Sequence, residues 1–470
     1  MQTVIHWFRR DLRVSDNTAL HEAASRAECV VPVFIWDDAI LRAPDTGAAR
    51  VAFLLRSLEA LAKNLGALGH RLILRHGTPE VELVRLARET GAAAVLTNRD
   101  YEPYAVSRDR RVAAALYPAG VHFESFKDAV IQEGREVRTQ SGEPYTVFTP
   151  YARAWRALPV PPPVPRVPRA VRPVPEAIRS LPMPEASASL GHPLAQQLPA
   201  AGEHAAQEAL RAFVERRVFD YDRRRNFPAD EGATSHLSPH LRFGTINIRT
   251  VLARLQRVRE VAAPAQLRGC DVWWSELIWR EFYIQILANF PRVAAGSFRP
   301  EYDALEWSGP DEHFAAWCEG RTGFPIVDAA MRCLNATGWM HNRLRMIVAM
   351  FLTKDLLVSW QRGERYFMQR LVDGDLAANN GGWQWSAGCG TDAAPYFRIF
   401  NPVLQGRKFD PDGAFVRQWI PELANLPEEA VHEPSSEPLL LARSGYPAPI
   451  VSHPTQRERC LAMFRKVRGG

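Results

Sequence analysis

Glu276, Trp279, Arg280 and Tyr283 recur within VWWSELIWREFY (272–283) at helical spacings of three and four. On a helix this sets a carboxylate, a flat aromatic, a guanidinium and a phenol on one face. Such a face can stack a base, hydrogen-bond its edge and hold a backbone phosphate. A Glu276–Arg280 salt bridge on an amphipathic helix satisfies the same spacing. Upstream, YDRRRNFP (221–228) is followed by TSHLSPHLRFG (234–244). Hydroxyls and backbone N–H groups ahead of a helix make a phosphate cradle suited to a diphosphate-containing cofactor, although a loop with an N-cap reads the same way.

Two further stretches lie downstream, GWMHNRLRM (338–346) and VDGDLAANNGGWQW (372–385). Paired asparagines before two glycines cost helix stability and let backbone approach a ligand closely. Asp373 and Asp375 are spaced to pair with an arginine such as Arg345 and so fix a guanidinium beside an anionic ring system. The neutral amide of Asn379 can donate to or accept from a cofactor nitrogen without adding charge.

The elements that must position these groups follow from hydrophobic periodicity. Over residues 1–130, short β-rich runs (VIHWF, VVPVFIW, RLILRHG, AAVLTN) alternate with helical patterns, the signature of βαβ units and a parallel sheet covered by helices. No GxGxxG fingerprint accompanies them, so a dinucleotide site of that kind is not indicated there. Residues 131–204 form a proline-rich linker, densest in LPVPPPVPRVPRAVRPVPEAIRSLPMP, where missing donors and fixed φ angles oppose helix and sheet. Residues 205–470 carry mostly helical periodicity, which predicts a large all-α domain.

Length and composition agree with this layout. A chain of 470 residues with 46% apolar content can bury more than one core. Charged residues directly follow the first apolar run, and no segment is long enough to span a bilayer, so a cytoplasmic protein is expected. The six cysteines lack CxxC pairs or histidines at metal spacing, which argues against a disulfide framework and a zinc site. The net charge of +6 suits a polyanionic partner and suits an ordinary mixed surface as well.

The four stretches, together with HWFRRDLRVSDNTAL at the start and PYFRIFNP at 395–402, resemble the photolyase and cryptochrome family over nearly the whole chain apart from the proline-rich linker. Residues 322–402 look most like bacterial class I cyclobutane-dimer photolyases. The resemblance implies an α/β antenna domain of the Rossmann or flavodoxin-like kind and an all-α domain holding FAD. Tyr221, Thr234, Ser235, Leu237, Ser238, Trp273, Arg345, Asp373 and Asp375 match the flavin-binding positions. Asn379 matches the residue opposite flavin N5, where plant cryptochromes carry aspartate.

For a flipped-out cyclobutane pyrimidine dimer in DNA, the resemblance assigns Glu276 a hydrogen-bonding carboxylate role and Trp279 and Trp385 the flanking aromatics. Asn342 and Met346 are further contacts, and Arg280, Arg343, Arg398 and Lys408 position the DNA. Trp383, Trp360 and Trp307 match the family's electron-carrying tryptophans, although large aromatics also fill helix cores. At YEPYA (101–105) the chain departs from the folate-binding pattern. Arg50, Asp100 and Arg242 instead sit where deazaflavin-binding relatives carry similar charges, which favours an 8-hydroxy-5-deazaflavin antenna over FMN, folate or an empty pocket.

The implied activity is a light-driven carbon–carbon lyase that acts as a monomer without a metal. A cryptochrome-type light sensor is disfavoured because about seventy residues, with no low-complexity arm, follow PYFRIFNP. A 6-4 photolyase is disfavoured because His341-Asn342 stands where those enzymes pair two histidines.

Overall fold

A computed structural model describes residues 2–468. Five parallel strands, β1 (Thr3–Phe8), β2 (Cys29–Trp36), β3 (Ile73–His76), β4 (Ala94–Asn98) and β5 (His122–Phe126), form one sheet in the order β3-β2-β1-β4-β5. Every residue of β1 and β2 is buried, which explains their nearly continuous apolar runs: helices cover both faces of a parallel sheet. The strand order reverses between β1 and β4. Loops leaving the carboxyl ends of these two strands diverge there and open the crevice in which α/β sheets bind ligands. The expected α/β fold followed by a largely helical remainder is what the chain adopts. One strand escaped the sequence reading: β5, a half-exposed edge strand whose HFESF mixes polar and apolar residues.

Contacts divide the chain into two compact units, Met1–Leu194 with Pro199–Phe219 and Ser235–Pro291, and Ala195–Leu198 with Asp220–Thr234 and Arg292–Gly470. In the first unit the proline-rich segment runs extended along the α/β layers. Its amides at Val167, Ala170, Arg172 and Leu181 donate to the carbonyls of Val14, Leu68, Glu28 and Leu74. The span 131–204 is not wholly irregular, since it includes the helix Phe148–Arg156 and a short 3-10 turn, Ser187–Leu190.

The 26-residue helix α1 (Pro264–Asn289) carries the first of the stretches described above. It is anchored by Glu281, which is 1% exposed. The Glu281 carboxylate accepts from Ile131 N (2.5 Å), Gln132 N (3.1 Å) and Trp155 Nε1 (2.6 Å). Burial pushes its pKa up, while the same three donors and Arg280 pull it down.

In the second unit, α2 (Asn342–Met350), α3 (Trp360–Arg370), α4 (Leu376–Ala387) and α5 (His453–Arg468) pack around an apolar core that includes Trp317, Trp360 and Trp383. The run NRLRMIVAMFLTKDLLVSW reads as one helical pattern, yet α2 gives way to a π-helical turn, Phe351–Asp355, and then to irregular chain. Two buried charges sit in that turn. Lys354 donates to Ala387 O (2.6 Å) and lies 3.9 Å from the Phe464 ring centroid, and burial lowers its pKa to about 8. Asp355 pairs with His453 at 2.5 Å. These bonds tie the turn to α4 and α5.

Replacing Glu281 with Ala strands three buried donors at once and is expected to destabilise the protein by about 3 kcal/mol. Urea unfolding of the Glu281→Ala variant measures this, and a midpoint equal to that of the parent protein would contradict the anchoring role.

Candidate functional site

Within the first unit, the buried side of α1 carries Cys270, Trp273, Leu277, Ile278, Glu281 and Phe282, while Glu276, Trp279, Arg280 and Tyr283 are half-buried on the other side. Trp279 stacks on Phe148 with centroids 3.7 Å apart and planes within 6°. One face of its ring is therefore occupied, and stacking on a base is left to the opposite face. Arg280 spends one donor on Ala129 O at 2.8 Å, which holds its guanidinium toward the backbone. Trp273 is 3% exposed and packs against Phe213 at 4.9 Å. Ser235 is half-buried, Leu237 is buried, and Ser238 is exposed at the start of the six-residue helix Ser238–Phe243.

The three charged residues assigned to an antenna, Arg50, Asp100 and Arg242, fall into one electrostatic cluster. Asp100 follows β4, Arg10 follows β1, and Arg10 Nη1 reaches both Asp100 Oδ1 (3.3 Å) and Glu102 Oε1 (2.7 Å). Arg242 Nη1 approaches the same Glu102 oxygen at 3.5 Å. Burial would raise the Asp100 pKa, but Arg10, Arg9, Arg108 and Arg242 hold it below the ordinary value. Burial and the neighbouring Arg242 bring Arg50 down to about 10, against the pull of Asp45 and Glu102. Arg10 and Asp100 anchor the cluster at the carboxyl ends of β1 and β4, the switch point of the sheet, and Arg50 and Arg242 reach it from helices. Arg10 and Glu102 were given no site role in the sequence; Arg10 lies two residues after β1, and Glu102 stands at the N-cap of the helix that follows β4.

In the second unit, Arg345 Nη2 bonds Asp373 Oδ2 at 2.8 Å, the pairing expected from spacing. Asp375 caps α4, accepting from Ala378 N at 3.2 Å. Asn379 Nδ2 donates to Glu364 O (3.0 Å), and Asn380 Nδ2 donates to Glu364 Oε1 (3.0 Å) and Val293 O (2.9 Å). Glu364, on α3, thus orients both asparagines, and nothing in its local sequence announces that. Tyr221 is buried beneath the Arg225 guanidinium, 5.3 Å from its ring centroid, and Thr234 is half-buried.

Asn342 is exposed at the first position of α2, and Met346 and Trp385 are half-buried. Arg343 bonds Asn226 Oδ1 at 2.7 Å and lies over the Phe409 ring at 4.6 Å, and Lys408 approaches the same ring at 5.3 Å. Arg398 is exposed beside Phe400 at 5.6 Å. Trp360 and Trp383 are each 2% exposed, while Trp307 is half-buried. Trp383 meets Trp317 edge-on at 6.0 Å, an aromatic neighbour that the sequence alone did not single out.

The description "DNA photolyase" matches residues 4–169, and "FAD binding domain of DNA photolyase" matches residues 273–466. A deoxyribodipyrimidine photo-lyase of Synechococcus sp. is 42% identical over 99% of this chain and 97% of its own length. The chain belongs to the DNA photolyase family. Solved photolyases agree with this in three dimensions. A bacterial class III photolyase from Agrobacterium tumefaciens superposes with a TM-score of 0.90 at 38% identity, covering 100% of this chain and 98% of that one. An archaeal photolyase from Sulfolobus tokodaii, solved with two FAD molecules, gives 0.85 at 32% identity, covering 99% and 100%.

The photolyase FAD-binding domain is therefore present, and the second unit's donor set fits the flavin cofactor. Among the buried side-chain atoms without a hydrogen-bond partner are Asp373 Oδ1, an acceptor, and Trp383 Nε1, a donor, which a cofactor could satisfy. A Cβ built on Gly382 would meet no atom within 4 Å, so α4 presents open backbone beside Trp383. Among the described residues no group of three or more His, Cys, Asp or Glu gathers as for a metal ion, and no helix is long and apolar enough to cross a membrane.

The Arg345–Asp373 pair should be strongly coupled, because the aspartate side chain is 2% exposed and its partner 27%. Arg345→Ala is expected to cost roughly 3 kcal/mol by leaving a buried carboxylate unpaired, and adding Asp373→Asn should recover part of it. Unfolding curves of the two single variants and the double variant measure the coupling; additive losses would show that the pair contributes nothing as a pair.

Proposed function

We propose that this photolyase family member is a deoxyribodipyrimidine photo-lyase, a carbon–carbon lyase that uses light to split cyclobutane pyrimidine dimers in DNA. The observation that carries the reading is relatedness along the whole chain to proteins of that name. We further assign residues 1–130 to an antenna domain, 131–204 to a linker and 205–470 to the catalytic domain, and expect a cytoplasmic monomer. The six free cysteines are in keeping with a reducing compartment.

In this reading Tyr221, Thr234, Ser235, Leu237, Ser238, Trp273, Arg345, Asp373, Asp375 and Asn379 hold FAD. The chemistry that FAD supplies when bound and reduced is one electron, lent to the dimer under light and recovered once both cyclobutane bonds have broken, with no net redox change. The chain's own contribution is position and electrostatics. The dimer must leave the duplex, and a distorted lesion costs less to flip than a paired base. Glu276 hydrogen-bonds the extruded dimer, Trp279 and Trp385 flank it, and Asn342 and Met346 complete its surroundings. Arg280, Arg343, Arg398 and Lys408 hold the strand by its phosphates, and their engagement with Ala129 O, Asn226 and the rings of Phe400 and Phe409 limits how far they swing. Asn379, its amide already committed to Glu364 O, offers a neutral acceptor to the cofactor and adds no charge there.

Trp307, Trp360 and Trp383 form the route by which oxidised flavin regains electrons, running from a half-buried residue to two buried ones. The cationic cluster of Arg50 and Arg242 with Asp100 is assigned to an antenna chromophore. The departure from the folate-binding pattern at 101–105 and the matching Arg50, Asp100 and Arg242 favour 8-hydroxy-5-deazaflavin over folate, with FMN the next candidate.

Blue-light repair by the reduced, purified protein of an oligonucleotide with one thymine dimer tests the proposal. Light-dependent recovery of the dimer is expected, with no recovery of a 6-4 lesion or of a dark sample. Glu276→Ala should lower the repair yield at least about tenfold, the scale of a lost charged hydrogen bond. A protein that binds reduced FAD and repairs neither lesion would contradict the reading and favour a light sensor.

A further inference from the structure

Gly309 sits two residues after Trp307, in a place no larger residue can occupy. A Cβ there would lie 2.2 Å from Leu356 O, 2.6 Å from Val358 Cγ2 and 3.0 Å from the Leu357 carbonyl carbon. Two of these three atoms are backbone, which cannot swing aside. The contact is bonded as well as close, because Gly309 N donates to Leu357 O at 2.9 Å.

Leu357 itself adopts a left-handed conformation, φ +52°, while 3% exposed. For a bulky residue that conformation is strained and persists only where the surroundings impose it. Here the amides on either side are held by the preceding turn, Leu356 N on Phe351 O (3.0 Å) and Val358 N on Leu352 O (3.1 Å). The strained turn aims its carbonyls at Gly309, and three residues later Trp360 opens α3. Asp311 and Arg362 tie the same two segments again at 2.7 Å.

We infer that Gly309 and the left-handed turn at Leu357 act together as a positioning clamp that sets the separation of Trp307 and Trp360. This rests on the proposed role of those tryptophans in electron transfer. The step it serves moves one electron from Trp307 to oxidised Trp360, the ultimate oxidant being light-excited oxidised flavin. Trp307 then loses its indole proton to water, and a thiol in solution returns one electron and one proton to it, the resulting thiyl radicals pairing as a disulfide. Transfer rates fall steeply with separation, so a clamp at this point governs flavin photoreduction and leaves the repair step itself untouched.

The test uses the flavin-loaded protein carrying Gly309→Ala. Photoreduction under blue light with a thiol should slow severalfold as the tryptophans move apart. Dimer repair by the same variant, reduced chemically beforehand, should equal that of the parent. Hydrogen exchange in the peptide spanning Trp307 to Gly309 should quicken as the amide loses Leu357 O. Photoreduction at the parental rate overturns the inference. If Gly309→Ala does not retain FAD, Leu357→Gly decides, because it releases the imposed left-handed turn while leaving Gly309 its space: slower photoreduction with normal repair supports the inference, whereas an unchanged rate overturns it. Trp307→Phe is measured alongside. If that variant photoreduces normally, the electron route itself fails and the clamp falls with it; if it does not, while Gly309→Ala is normal, the clamp alone is wrong.

Discussion

A carboxylate buried at one point of a 26-residue helix decides which way the rest of that helix faces. Glu281 accepts two backbone N–H groups from residues 131–132 and the indole N–H of Trp155, and a bonded charge at that depth cannot be moved without stranding its donors. Five residues separate it from Glu276, about 140° around the helix. Fixing Glu281 inward therefore fixes Glu276, Trp279, Arg280 and Tyr283 on the opposite flank, half-buried and jointly presented. Trp279 is then steadied by Phe148 stacked on one face, which leaves a rigid ring with a single face for a ligand.

The same logic of satisfied burial recurs in the second unit. Asp373 is held by Arg345, and Glu364 holds Asn379 and Asn380. Lys354 and Asp355, buried in a π-helical turn, are met by Ala387 O and His453. What remains unmet is informative. Asp373 Oδ1 and Trp383 Nε1 are among the buried side-chain atoms without a partner, and both lie in the FAD-binding domain of a photolyase family member.

Much of this was legible in the residues. The fully buried strands β1, β2 and β4 showed as short apolar runs, and the face of α1 showed as a spacing of three and four. The Arg345–Asp373 pair followed from charge and spacing. The edge strand β5 did not show, because half its residues meet solvent and its alternation is weak. Nor did the break after Met350: LLVSW continues a helical pattern, and only the tertiary partners of Lys354 and Asp355 and the left-handed turn at Leu357 end it. Arg10, Glu102, Glu364 and Trp317 escaped for the same reason, since each acquires its role from residues distant in the chain.

The proposed lesion reader is the half-buried flank of α1. Equilibrium binding in the dark measures that directly, comparing duplexes with and without one thymine dimer for the parent protein and for Trp279→Ala. The parent should prefer the damaged duplex, and the variant should lose about tenfold or more of that preference, the worth of one stacked base, while binding undamaged DNA as before. An unchanged preference in Trp279→Ala would contradict the assignment of this face to the dimer.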